Sequence, residues 1–124
     1  MLTLGPLKEK EKARDLFLLK NIDYNDDSQC VVCNAGEEIL GFCLFDLNEE
    51  KMVVKYIEPL DDISLADGIL RSTLHVAAER SIMNAYYSDT VPEEFLYKLL
   101  FIENEKEKKL NINKLFESCK GCGG

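Results

Sequence analysis

Tryptophan is missing from this sequence, and histidine occurs once, at position 75. His75 lies between Leu74 and Val76 in an apolar repeat, and no Ser or Cys with an Asp orienter can be matched to it, so a His-dependent hydrolase has no support. Neither G-x-x-x-x-G-K-S/T nor G-x-G-x-x-G is present, which removes the usual basis for nucleotide hydrolysis and dinucleotide chemistry. No run approaches the roughly 18 apolar residues that span a bilayer, and the opening MLTLGPLKEKEKARDLF lacks the apolar centre of a secretory signal. A cytoplasmic location is the resulting expectation. Positive charge is also in short supply: the formal net charge of -8 repels phosphate backbones and anionic membranes, so neither nucleic acid nor membrane is an expected partner.

What is there suits one small globular domain. With 124 residues and 46% hydrophobic content, the chain can bury one core but not two. We assign residues 1–118 to that domain and 119–124 to a flexible tail rich in Cys and Gly. Charged stretches such as KEKEK at 8–12 and ENEKEKK at 103–109 read as solvated faces. Five cysteines, an odd count without an export signal, read as reduced thiols. Two C-x-x-C pairs, Cys30/Cys33 and Cys119/Cys122, have the spacing of half zinc sites. Cys30 and Cys33, however, fall in a strand pattern, where residues three apart face opposite ways, so they read as buried small hydrophobes, as does Cys43. No metal is expected, and a zinc-binding protein is the distant alternative.

The apolar spacing predicts a helix over 8–20 after Pro6, then strands through CVVCN and ILGFCLFDL joined by a Gly-containing turn. A third strand, MVVKYIE at 52–58, ends at Pro59. From Ser64 to about Arg80, Leu65, Ile69, Leu70, Leu74, Ala77 and Ala78 recur at three and four, the strongest helix signal, with Ser64 and Asp67 placed like a capping box. SIMNAYYS at 81–88, with Tyr86 and Tyr87, reads as a short strand. EEFLYKLLF at 93–101 reads as a short helix announced by Thr90, Pro92 and Glu93, and KLNINKLF at 109–116 as a final strand. The order implies an α+β fold in which the long helix crosses between two strands.

Three passages in this order resemble the GNAT family of N-acetyltransferases: EEILGFCLFDL with Gly41 and Phe42; YIEP followed by ADGILRSTL with Ile57, Pro59, Ile69, Leu70 and Leu74; and FLYKLLF with Lys98, Leu99 and Phe101. The resemblance covers roughly residues 30–116. It implies a mixed α/β, GNAT-like fold: a central, mostly antiparallel sheet with one splayed parallel pair, flanked by helices. It further implies acetyl-CoA as cofactor, its pantetheine arm at the strand containing Ile57 and its pyrophosphate at the amides of Ile63, Ser64, Leu65, Ala66, Asp67 and Gly68, where a helix N-terminus favours an anion. The acyl group would pass to an amine acceptor, small molecule or protein, and a homodimer is a candidate assembly.

Two departures keep an alternative open. LDDISLA at 60–66 stands where the family has a Gln- or Arg-led, Gly-rich loop, so Asp61 and Asp62 would face the pyrophosphate. Like charges about 4 Å apart cost roughly 1 kcal/mol in water and about 4 near a protein surface. The family's acidic Tyr falls on Leu96, with Tyr97 one residue late, and one residue turns a helical side chain by about 100°. Tyr97 is the candidate acid, and Glu58, ending the third strand, the candidate base through water. The alternative is a non-catalytic GNAT-like binding or regulatory module that has lost CoA binding.

Overall fold

The computed structural model describes residues 2–115. Its elements are β1 (Leu2–Pro6), α1 (Lys10–Leu19), β2 (Ser28–Ala35), β3 (Glu38–Leu47), β4 (Met52–Glu58), α2 (Ile63–Glu79), β5 (Ala85–Tyr87), α3 (Glu93–Leu99), β6 (Ile102–Asn104) and β7 (Lys109–Leu110). They form a seven-stranded sheet in the order β1-β2-β3-β4-β5-β7-β6. Its neighbours pair antiparallel, apart from the parallel pair β4 and β5, which α2 connects. The mixed α+β architecture expected from the sequence is therefore the one found.

Period-two alternation divides the core. Cys30, Val32, Phe42 and Leu44 meet Ala13 and Phe17 of α1 on one face of the sheet. Val31, Cys33, Cys43, Phe45 and Leu47 meet Ala66, Ile69, Leu70, Leu74 and Ala77 of α2 on the other, where α3 adds Phe95, Leu96 and Leu99. All three helices end alike, with a non-glycine residue in the left-handed region: Asn21 at φ 61°, Ser81 at 62° and Leu100 at 62°. The next amide then reaches back to the last turn, Ile22 to the Phe17 carbonyl, Ile82 to Ala77 and Phe101 to Leu96, at 2.9, 2.9 and 3.2 Å. This is the Schellman closure, which satisfies carbonyls that the helix leaves free.

Four expectations need correction. The chain begins its fold with β1, which the short and Gly/Pro-broken LTLGP conceals. α2 is capped by Asp62, whose side chain accepts from the Leu65 amide at 3.1 Å, instead of by Ser64 and Asp67; Asp67 pairs along the helix with Arg71 at 2.8 Å. α3 starts at Pro92 with no side-chain cap, and the Thr90 hydroxyl instead donates to the Lys55 carbonyl. The final extended stretch is only Lys109–Leu110, paired with the unforeseen β6 as a hairpin. Cys119 and Cys122 lie outside the described residues.

Candidate active site at the parting of β4 and β5

On its β4 side β5 pairs with Met52, Val53 and Val54, whereas β4 continues to Glu58. The Ser88 amide donates to the Val54 carbonyl at 2.9 Å, and Thr90 holds the Lys55 carbonyl. Beyond that point β4 pairs on its β3 side alone, through Tyr56, Ile57 and Glu58. The two parallel strands thus part, leaving the β5-facing edge of Tyr56–Glu58 without a strand partner.

A bulge decides which side chains surround the opening. The β3–β4 register slips between Leu44 and Phe45, leaving Lys55 as the extra residue. Met52 and Val54 face the larger core cluster, and strict alternation would send Tyr56 and Glu58 the same way. The slip puts Ile57 there instead, 3% exposed, and turns Tyr56 toward the α1 side. Glu58, two residues on, turns with it: its carboxylate meets Lys20 at the end of α1. The Tyr56 hydroxyl donates to Glu58 Oε1 at 2.7 Å, and Lys20 Nζ lies 2.9 Å from the same oxygen. That ammonium also sits 5.3 Å from the Tyr56 ring centre and 5.9 Å from that of Phe42, within cation–π range. Burial raises the Glu58 carboxyl, but the hydrogen bonds from Tyr56 and Lys20 and the ammonium's charge outweigh it and hold it below the ordinary carboxylate value. Lys20 is raised, chiefly by its bond to Glu58, and Tyr56 is raised by burial and by Glu58. One carboxylate oxygen of Glu58 thus holds two donors, Tyr56 and Lys20, at the end of β4.

Gly41 makes this end of β4 buildable. A Cβ there would stand 2.6 Å from the Glu58 carbonyl oxygen and 2.7 Å from Ile69 Cδ1 and Pro59 Cδ, so only a residue without a side chain lets β3, β4 and α2 meet.

The expected pyrophosphate residues all fall within α2. Ile63 and Ser64 are exposed, and their amides sit in the first turn, where no intrahelical acceptor exists. Leu65 is taken by the Asp62 carboxylate and Ala66 by the Asp62 carbonyl at 2.9 Å. Asp67 and Gly68 lie further along the helix, so Gly68 is a helical residue and not part of a loop; the nearest heavy atom to a Cβ there would be Leu4 Cδ2 at 3.8 Å. Tyr97 is about half exposed and donates to Glu105, which raises its phenol, while Leu96 is fully buried. Tyr87, buried on β5, donates to Glu93 at 2.6 Å, and burial together with that carboxylate pushes its phenol up. Cys30 and Cys33 belong to opposite faces of β2, so the two thiols do not converge on one ion. His75 pairs along α2 with Glu79 at 3.0 Å on the surface. Among the described residues no helix is long and apolar enough to cross a membrane. Lys20, Tyr56 and the Asp62 cap escape a sequence reading, since the first two depend on a bulge and the third on where the helix starts.

No family model and no curated protein matches the chain. Solved structures do. AtaTR bound with acetyl-CoA matches at 15% identity and TM-score 0.56 over 88% of this chain and 91% of its own. A GNAT-family protein from Desulfovibrio desulfuricans matches at 10% identity and 0.56, over 79% and 82%. A GNAT-family acetyltransferase from Elizabethkingia anophelis with acetyl-CoA bound matches at 14% and 0.52, over 78% and 72%. The chain has the GNAT fold. In this chain β4 loses its β5 partner after Val54, and the Ile63 and Ser64 amides stand in the first turn of α2.

Proposed function

We propose that this chain is an acetyl-CoA-dependent N-acetyltransferase of the cytoplasm acting on an amine acceptor. The observation that supports it best is the parted β4–β5 pair with Glu58 at the end of the longer strand. The open β4 edge around Ile57 fits a pantetheine arm, and the Ile63 and Ser64 amides at the dipole end of α2 fit a phosphate oxygen. When bound, acetyl-CoA supplies the activated acyl group. Glu58 then orients the amine and receives its proton, directly or through water, while Tyr56 steadies the carboxylate by its 2.7 Å bond. Tyr97 stays the candidate acid, its role requiring release from Glu105.

A second reading, a binding or regulatory module without catalysis, draws on two specific features: Asp62 at the α2 N-terminus and buried Leu96 at the family's Tyr position. Mass-spectrometric detection of acetylated product from a panel of primary amines separates the two. Product whose rate falls about a hundredfold in Glu58→Gln supports the transferase. No acetyl-CoA binding and no product from any amine supports the module.

A further inference from the structure

The Glu58 carboxylate is not empty-handed: a cation of the chain itself already sits on it. Lys20 Nζ lies 2.9 Å from Glu58 Oε1 and within 6 Å of two ring centres, at 5.3 Å from Tyr56 and 5.9 Å from Phe42. A carboxylate beside aromatic faces is a receptor for an organic ammonium, and these groups come from two strands that do not need Lys20 to be held together. Tyr56 fixes the carboxylate and packs at 5.7 Å against Phe42.

Lys20 is delivered by a rigid device. It closes α1, with its amide on the Leu16 carbonyl at 3.2 Å, and the left-handed Asn21 and the Ile22 to Phe17 bond lock the turn after it. Phe17, fully buried, anchors that turn to the sheet. The ammonium itself stays reachable, since the Lys20 and Glu58 side chains are 28% and 35% exposed. A hollow of about 250 Å³ is lined by Asn21, Ile22 and Asp23 of the turn that follows Lys20 and by Lys55, Ser88 and Thr90 where the strands part.

We propose that Phe42, Tyr56 and Glu58 form a binding subsite for the ammonium end of a primary alkylamine, and that Lys20 fills it at rest as a built-in plug. This rests on the acceptor side of the function proposed above and narrows it: an incoming alkylammonium must displace Lys20, whose ammonium marks the position of the acceptor nitrogen. A ligand with a single compact charged head on an alkyl stem fits, because one carboxylate oxygen receives both the Tyr56 hydroxyl and the ammonium.

The probe is n-butylammonium, titrated calorimetrically into wild-type protein, Lys20→Ala and Lys20→Ala/Glu58→Gln, with no acetyl-CoA present. Removing the plug is expected to tighten binding about tenfold over wild type, Glu58→Gln to remove the gain, and neutral n-butanol to show none of it. Lys20→Ser serves if the alanine variant loses its native circular dichroism. Equal affinity in wild type and a folded Lys20 variant overturns the proposal, as does a gain that survives Glu58→Gln. Acetyl-CoA titrated separately tests the cofactor side, so a failure here is distinct from a failure of the transferase assignment.

Discussion

The two ends of the parted strands present opposite charges to a ligand, and each is already met by a side chain of the chain itself. At the proposed acceptor end an ammonium, Lys20, rests on Glu58; at the proposed cofactor end a carboxylate, Asp62, rests on the Leu65 amide of α2. The holds differ. Lys20 has a carboxylate at 2.9 Å and two aromatic faces, and its backbone is locked by a Schellman turn. The Asp62 side chain has a 3.1 Å bond to the Leu65 amide and stands in solvent. Vacating the cofactor end costs about one helix cap, whereas vacating the acceptor end means breaking a partly shielded ion pair. The lesson is that Lys20 is held on Glu58 more firmly than Asp62 is held on α2, which on the function proposed above makes the amine side the selective one.

The comparison can be broken hardest at Phe17, which is fully buried under α1. Phe17→Ala is expected to lower unfolding stability by about 3–5 kcal/mol in a denaturant titration and to release Lys20 while leaving α2 in place. Gly41→Ala strikes the β4 end itself, where three atoms stand within 2.7 Å of the new Cβ; a loss of about 1–3 kcal/mol is expected by the same measurement. Asp61→Asn with Asp62→Asn removes the charge on the α2 cap and the one next to it in sequence while asparagine at the cap keeps a capping oxygen, and acetyl-CoA affinity should rise about tenfold by calorimetry. Leu100→Gly relieves a left-handed leucine at φ 62° that is 73% exposed, and should raise stability by about 1 kcal/mol.

The smallest effect is in pH. Glu58 is lowered in the folded state, so its contribution is present above the ordinary value of 4.5 and is lost as pH falls through the folded value. Lys20 is raised, so its share is present below 10.5 and lost as pH rises beyond it. Thermal melts across the acid range should show a shallower loss in Lys20→Met than in wild type. Cys43, fully buried and pushed up to about 12 from 9.0, adds a separate alkaline loss that Lys20→Met leaves unchanged.

Much of the fold was legible because hydrophobic period is a local signal. MVVKYIE is β4 residue for residue, and the repeat from Leu65 to Ala78 falls within α2. Gly41 was legible as part of the resemblance, although its reason, the approach of Glu58, Pro59 and Ile69, is a three-element contact. β1 and β6 were not legible: LTLGP is broken by Gly5 and Pro6 although it pairs along its whole length, and the three-residue β6 leaves little pattern of its own. The site was legible only as single residues. Glu58 was named at a strand end, but its partners Tyr56 and Lys20 meet it through a bulge at Lys55 and a helix end far back in the chain, neither of which has a sequence period. The cap was misplaced because Asp61, Asp62 and Ser64 are all competent caps, and only the strand geometry before Ile63 chooses among them.

The most direct test of the central claim, that the parted strands receive an acyl-CoA, is calorimetric titration of the reduced wild-type protein with acetyl-CoA and with CoA up to about 1 mM, where binding is worth about 4 kcal/mol. The account predicts saturable one-to-one binding that tightens in the Asp61→Asn/Asp62→Asn variant. No heat with either protein at that concentration would contradict it.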